Sequence, residues 1–133
     1  SFLYKIRLLS EHIQKYWYFG NFGQFTYNLK QSDKYLVQAK TLFEYKQYFL
    51  GDEALRKSDM YFKSSPKFLS YAKEENKNIE LKQKILEEAG LKHIEVLKRM
   101  KQYVPETFVW QPEKLLPTVL KLKKSIEESI VMR

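Results

Sequence analysis

The chain has 133 residues, of which 44% are hydrophobic and 30% charged, with a formal net charge of +8 and no cysteine. That length suits one domain with a buried core, and the missing cysteines exclude disulfides, thiolate metal sites and cysteine nucleophiles. Four glycines and four prolines are too few for the many tight turns of a sandwich or barrel, so an all-α fold is expected.

Phe2, Ile6, Leu9, Ile13 and Tyr16 recur at alternating four- and three-residue steps, which predicts a first helix over 1–19. Gly20 and Gly23 interrupt the pattern, and 20–31 is expected to be an aromatic loop. Ser32-Asp33 has the form of a helix start, with a capping side chain followed by an acid, and Gly51 suits the position just past that helix's end. Asp52 would cap a third, shorter helix to about Lys63, and Ser65-Pro66 would open another. From there Phe68, Ala72, Ile79, Leu86, His93, Leu97, Met100 and Val104 fall near one face. The polar stretch 73–78 can break that run, and Gly90 is a weak point within it. Pro105 ends the run, 105–116 reads as an irregular proline-containing connector, and a last helix from about Pro117 would align Val119, Leu122, Ile126 and Ile130. No internal repeat or low-complexity tract stands out. The expected architecture is an antiparallel bundle of four or five helices over a single domain, 1–133, with an aromatic-rich half at 1–71 and a charged half at 72–133.

Eighteen of the 21 aromatic residues lie between Phe2 and Tyr71. Tyrosine and tryptophan combine a large apolar body with a polar tip, and both are enriched at binding hot spots. A small basic protein with this distribution is expected to use its aromatic half in contact. Tyr16, Trp17, Tyr18, Phe19, Phe22 and Phe25 form the densest stretch, and Phe108 and Trp110 stand in a connector suited to lying along another protein.

Signals for chemistry are weak. His12 and His93 are the only histidines, and neither has an acid three residues before it or a second histidine four residues on, so the spacings of helical metal sites are missing. His93 falls on an apolar stripe, where a packed core histidine is the commoner occupant. The adjacent acids Glu74-Glu75, Glu87-Glu88 and Glu127-Glu128 do not face each other on a helix and read as solvated faces. No nucleophile elbow, phosphate-binding loop or dinucleotide fingerprint occurs. No catalytic residue, cofactor, metal or small-molecule substrate is therefore expected.

The positive charge favours anionic partners, among them nucleic acid and an acidic membrane surface. The bases around the aromatic stretch are sparse, and Lys121, Lys123 and Lys124 make a better patch, but Glu127 and Glu128 follow at once. No apolar run approaches the roughly 20 residues that span a bilayer, and no secretory signal is read. Leu3-Tyr4-Lys5 near the start of a helix resembles the Leu-Tyr-Arg opening of the mitochondrial LYR-motif proteins. That family consists of small, basic helical accessory subunits or assembly factors that engage acyl carrier protein. Lys5 stands where the family has arginine, only Lys40 and Phe43 align with its downstream pattern, and no assignment is made on this likeness.

The leading expectation is a non-catalytic helical accessory or adaptor subunit of a larger protein assembly. Its location would be intracellular, with a mitochondrial membrane complex as the setting that charge and size favour. The alternative is a nucleic-acid-binding or ribonucleoprotein component that uses lysines and exposed aromatics.

Overall fold

The computed structural model of the protein describes residues 2–5, 7, 8 and 19–133. His12, Trp17, Tyr18 and most of the first stripe (Ile6, Leu9, Ile13 and Tyr16) lie outside the described residues. Residues 2–5, 7 and 8 are helical and are labelled α1. There follow α2 (Gly20–Glu44), α3 (Tyr48–Glu74), α4 (Glu80–Tyr103), β1 (Phe108–Trp110), β2 (Thr118–Leu120) and α5 (Leu122–Met132). The fold is an all-α bundle carrying one short two-stranded ribbon.

Residues 20–31 are helix, not an aromatic loop. Phe25, Leu29, Ser32, Leu36, Ala39 and Phe43 are all buried and follow one another at steps of four, three, four, three and four. That stripe is unbroken once serine is admitted to it. The two glycines lie in the first turn, where their entropic cost is small beside the roughly 1.5–3 kcal/mol gained by burying a ring such as Phe25. Ser32-Asp33 is therefore no helix start but the middle of α2.

Helix α3 repeats the pattern with Gly51, Leu55, Ser58, Phe62, Ser65, Leu69 and Ala72, all buried. It absorbs both of the breaks expected from sequence. Asp52 lies inside the helix, where its Oδ2 accepts a hydrogen bond from Arg56 Nε at 2.9 Å. Pro66 also lies inside, and Ser65 Oγ donates to Tyr61 O at 3.0 Å in the preceding turn. A proline in a helix interior costs about 3 kcal/mol. Burial of Phe62, Leu69 and Ala72 on either side offsets that cost.

Lys46, not Gly51, ends α2. It adopts φ 61°, and the bonds from Lys46 N to Phe43 O and Gln47 N to Leu42 O close a Schellman motif. Gly51 instead faces the preceding helix: a Cβ there would come within 2.5 Å of the Phe43 ring. The turn after α3 uses the same motif, with Asn76 at φ 63° and Lys77 N bonded to Ala72 O, within the polar stretch 73–78. Asn78 Oδ1 then accepts from Glu80 N at 3.0 Å, serving the free backbone end of α4.

Helix α4 stops at Tyr103, ahead of Pro105, as the sequence predicts. The connector is more ordered than expected. Phe108 to Trp110 pairs antiparallel with Thr118 to Leu120, in the register Phe108↔Leu120, Val109↔Val119 and Trp110↔Thr118. The last helix therefore begins at Leu122, and Val119 is an exposed strand residue, not part of its apolar face. Leu122 and Ile126 do form that face and are fully buried.

Two apolar clusters result. One joins Leu36, Ala39, Phe43 and Leu55 to Leu97, Met100, Leu120, Leu122 and Ile126. The other gathers Phe25, Leu29, Phe62 and Leu69, with Phe22, Ile79 and Leu86 packed on them. Polar side chains separate the two.

Candidate functional site

The stripe position between the clusters is polar in every helix from α2 to α5: Ser32, Ser58, His93 and Ser129, all buried. Ser32 Oγ donates to Ser58 O at 2.8 Å, and Ser58 Oγ donates to Ser32 O at 2.7 Å. This reciprocal clasp satisfies both hydroxyls and lets the two backbones approach closely. Arg133 enters from just beyond α5 with its side chain fully buried. Its Nη1 donates to Asp59 Oδ1 at 2.5 Å, its Nη2 to Ser58 Oγ at 2.9 Å and its Nε to His93 Nδ1 at 2.9 Å. Its guanidinium also lies 5.1 Å from the Phe62 ring centroid. Ser129 Oγ donates to Asp59 Oδ2 at 2.6 Å. Burial pushes the Arg133 guanidinium below its ordinary value, and the hydrogen bond and charge of Asp59 oppose that shift. Gly90 fits the same construction: a Cβ there would meet Arg133 O and Phe62 Cζ, each at 3.4 Å.

The arrangement fixes the state of His93. Arginine Nε–H only donates, so Nδ1 accepts, and the ring proton sits on Nε2, which donates to Asp33 Oδ1 at 2.5 Å. Both nitrogens are thus engaged in holding α2, α4 and the residue after α5 together. Asp33 and Asp59 directly follow Ser32 and Ser58, and Tyr35 stacks on Tyr61 at 5.7 Å with an interplanar angle of 2°. The segments Ser32-Asp33-Lys34-Tyr35 and Ser58-Asp59-Met60-Tyr61 therefore share a Ser-Asp-x-Tyr pattern. It is a short internal repeat that hydropathy periodicity passes over, because serine and aspartate do not register in an apolar stripe.

Over this layer α2 and α4 part. A groove of about 400 Å³ runs between them, floored by Leu29, Leu36, Ala89 and Val96 and passing over the His93 and Asp33 pair. Val37, 63% exposed, and Ile85 stand on its rim, with Glu88 and Lys92 as the charged groups beside it. Leu81, one turn before Ile85, is also exposed. The surface is an apolar trough between two helices, with fixed charges along one edge. It has the form that accepts another helix or an extended apolar chain.

The aromatic residues expected at a partner surface are dispersed. Tyr16, Trp17 and Tyr18 lie outside the described residues. Phe19 is exposed, whereas Phe25 is 1% exposed and central to its cluster. Phe22 packs on that cluster, and Lys77 and Lys82 approach its ring to 5.5 and 5.7 Å. Phe108 and Trp110 sit at the opposite end, half-buried, tying the ribbon to α3. Trp110 stacks on Phe49 at 4.0 Å, and Phe108 meets Tyr48 at 5.2 Å. His93 is buried, as its stripe position predicts. Among the described residues, no group of three or more His, Asp and Glu side chains is placed to hold a metal ion. No described helix is long and apolar enough to cross a membrane.

Sequence reasoning missed the groove. Val37, Ile85 and Leu81 lie off the buried stripes of α2 and α4, and such off-stripe apolar residues were the available signal. Comparison with known proteins finds no matching family model, no matching curated protein and no matching solved structure.

Proposed function

We propose that the protein is a non-catalytic helical accessory or adaptor subunit of a larger protein assembly, and that the trough between α2 and α4 receives an apolar helix from a partner subunit. The observation that carries this reading is the trough itself: an apolar floor and rim left open between α2 and α4, whereas α2 and α3 approach closely. Helix-in-groove docking needs such a floor, and rim charges such as Glu88 and Lys92 would set the partner's orientation. The engagement of both His93 nitrogens in the polar layer also favours a structural role over acid–base catalysis. Basic charge is in keeping with a mitochondrial membrane complex as the setting.

The test is recovery of the tagged chain from its source cells in mild detergent, with and without nuclease, beside a Val37→Glu/Ile85→Glu variant. Partner proteins that survive nuclease and are lost with the variant are the expected result. Partners lost on nuclease would transfer the protein to the nucleic-acid class. Partners retained by the variant would remove the trough from the binding surface.

A further inference from the structure

Helix α4 carries a row of charges that the fold leaves unpaired. Glu80, Lys84, Glu88, Lys92, Glu95 and Arg99 follow one another at steps of four, four, four, three and four, and all six are exposed. That spacing keeps them on one side of the helix. Their signs alternate strictly, from negative in the first turn to positive near the last. Neighbours in such a row can pair along a helix, as Lys40 and Glu44 do in α2. None of the six forms an ion pair among the described residues.

An alternating row with an even number of members is the complement of its own reverse. Laid antiparallel on a copy of itself, Glu80 meets Arg99, Lys84 meets Glu95 and Glu88 meets Lys92. A two-fold axis at the level of Gly90 makes each of these pairs twice. A parallel copy in register would set like charge against like. The same antiparallel register brings apolar side chains to the trough. Helices α2 and α4 run in one direction, with Asp33 level with His93, 60 residues on, and Leu36 packed in one cluster with Val96 and Leu97. About an axis at Gly90, Ile85 of the second copy stands level with Glu95 and Val96, and so beside Leu36 and Val37. Leu81 of the second copy lies one turn farther along that edge. Leu81 and Ile85 are exposed in the single chain, while Leu36, Val37 and Val96 line the trough. Charge sets the register without reference to the trough, yet the apolar ridge of α4 lands on the apolar floor.

We infer that the trough between α2 and α4 is filled by α4 of a second copy of this chain, antiparallel, in an isologous dimer. The inference rests on the proposed reading of the trough as a helix-docking site and names the helix. Glu88 and Lys92, which border the trough, lie nearest the axis and make the central charge pairs.

The experiment is sedimentation velocity of the full chain from about 1 to 100 μM. Wild type should pass from monomer to dimer over that range. Glu88→Lys sets like charge against Lys92 of the other copy at two symmetric places, and Lys92→Glu does the same against Glu88. Each alone should weaken dimerisation about tenfold or more, with an unchanged circular dichroism spectrum. An equimolar mixture of the two variants should recover a dimer of wild-type strength, because opposite charges then face each other again. Val37→Glu/Ile85→Glu should be monomeric throughout. The inference is overturned if wild type stays monomeric, if either charge variant alone dimerises as wild type does, if their mixture stays monomeric, or if Val37→Glu/Ile85→Glu still dimerises. Failure of the underlying reading looks different. A monomeric wild type whose partner proteins are lost with Val37→Glu/Ile85→Glu would exclude the second copy and leave the trough as the site of a foreign helix. A monomeric wild type whose partners survive that variant would remove both.

Discussion

Helix α2 has two seams, and they are built differently. Against α3 it presents Ser32, Ala39 and Phe43 to Ser58 and Gly51, so that hydroxyl clasps a backbone carbonyl and an aromatic ring lies over a bare Cα. Against α4 it presents Leu29, Leu36 and Val37 across a gap, joined at mid-height by the Asp33 to His93 bond. Small residues let the first seam close, and larger apolar residues with a single polar bridge hold the second ajar. One seam is specified by what each residue excludes; the other leaves room for a chain that the bundle does not supply.

This contrast can be broken most forcefully at the polar layer. Asp59→Ala would leave the buried Arg133 guanidinium without its carboxylate, and unfolding free energy is expected to fall by about 3–5 kcal/mol in a urea titration. Adding Arg133→Met should restore most of that loss, since the cost lies in the unpaired charge; a double variant as unstable as the single would point to packing instead. In the closed seam, Gly51→Ala forces the Phe43 ring aside and should cost about 1–3 kcal/mol, read as a lower thermal midpoint. An unchanged midpoint would mean the seam is looser than its geometry. Ser32→Ala removes one half of the clasp and should cost about 1 kcal/mol. Combined with Ser58→Ala, it should show non-additivity, because each hydroxyl also meets the other at 3.1 Å. In the open seam, Val37→Glu with Ile85→Glu should change stability by less than about 0.5 kcal/mol, since both side chains already face water. A large loss of stability there would show that the trough is closed on itself in solution.

The helices of the charged half were legible because their apolar stripes are chemically plain. Leu97 and Met100 in α4, Val104 just past its end, and Leu122 and Ile126 in α5 are buried where periodicity places them. The aromatic half misled because the residues that bury best in its closed seam are those that ordinarily punctuate sequence. Ser32, Gly51 and Ser65 each resemble a cap or a turn, and each instead sits on a buried stripe. A serine in a helix interior is disfavoured alone but stable when a neighbouring carbonyl takes its proton, and that neighbour lies on another helix. The partner expectation placed on Phe22, Phe25, Phe108 and Trp110 faced a similar limit. Sequence shows that rings are dense but not which of them find one another, and Trp110 found Phe49 from 61 residues away. Of the candidate site, His93 was foreseen as buried, while the trough depended on how far α4 leans from α2.

The reach of Arg133 has a kinetic consequence. Its bonds to His93, Asp59 and Ser58 span 40, 74 and 75 residues, whereas the clasp between α2 and α3 spans 26. Contacts of short span close early, because less chain entropy is lost before they form. The α2–α3 hairpin is therefore expected to be structured in the folding transition state, with the arginine seated afterwards. Asp59→Ala should then speed unfolding and leave the refolding rate nearly unchanged in a chevron plot, while Gly51→Ala should slow refolding. Such an ordering would make the last charged side chain to arrive the one that governs how long the folded bundle lasts.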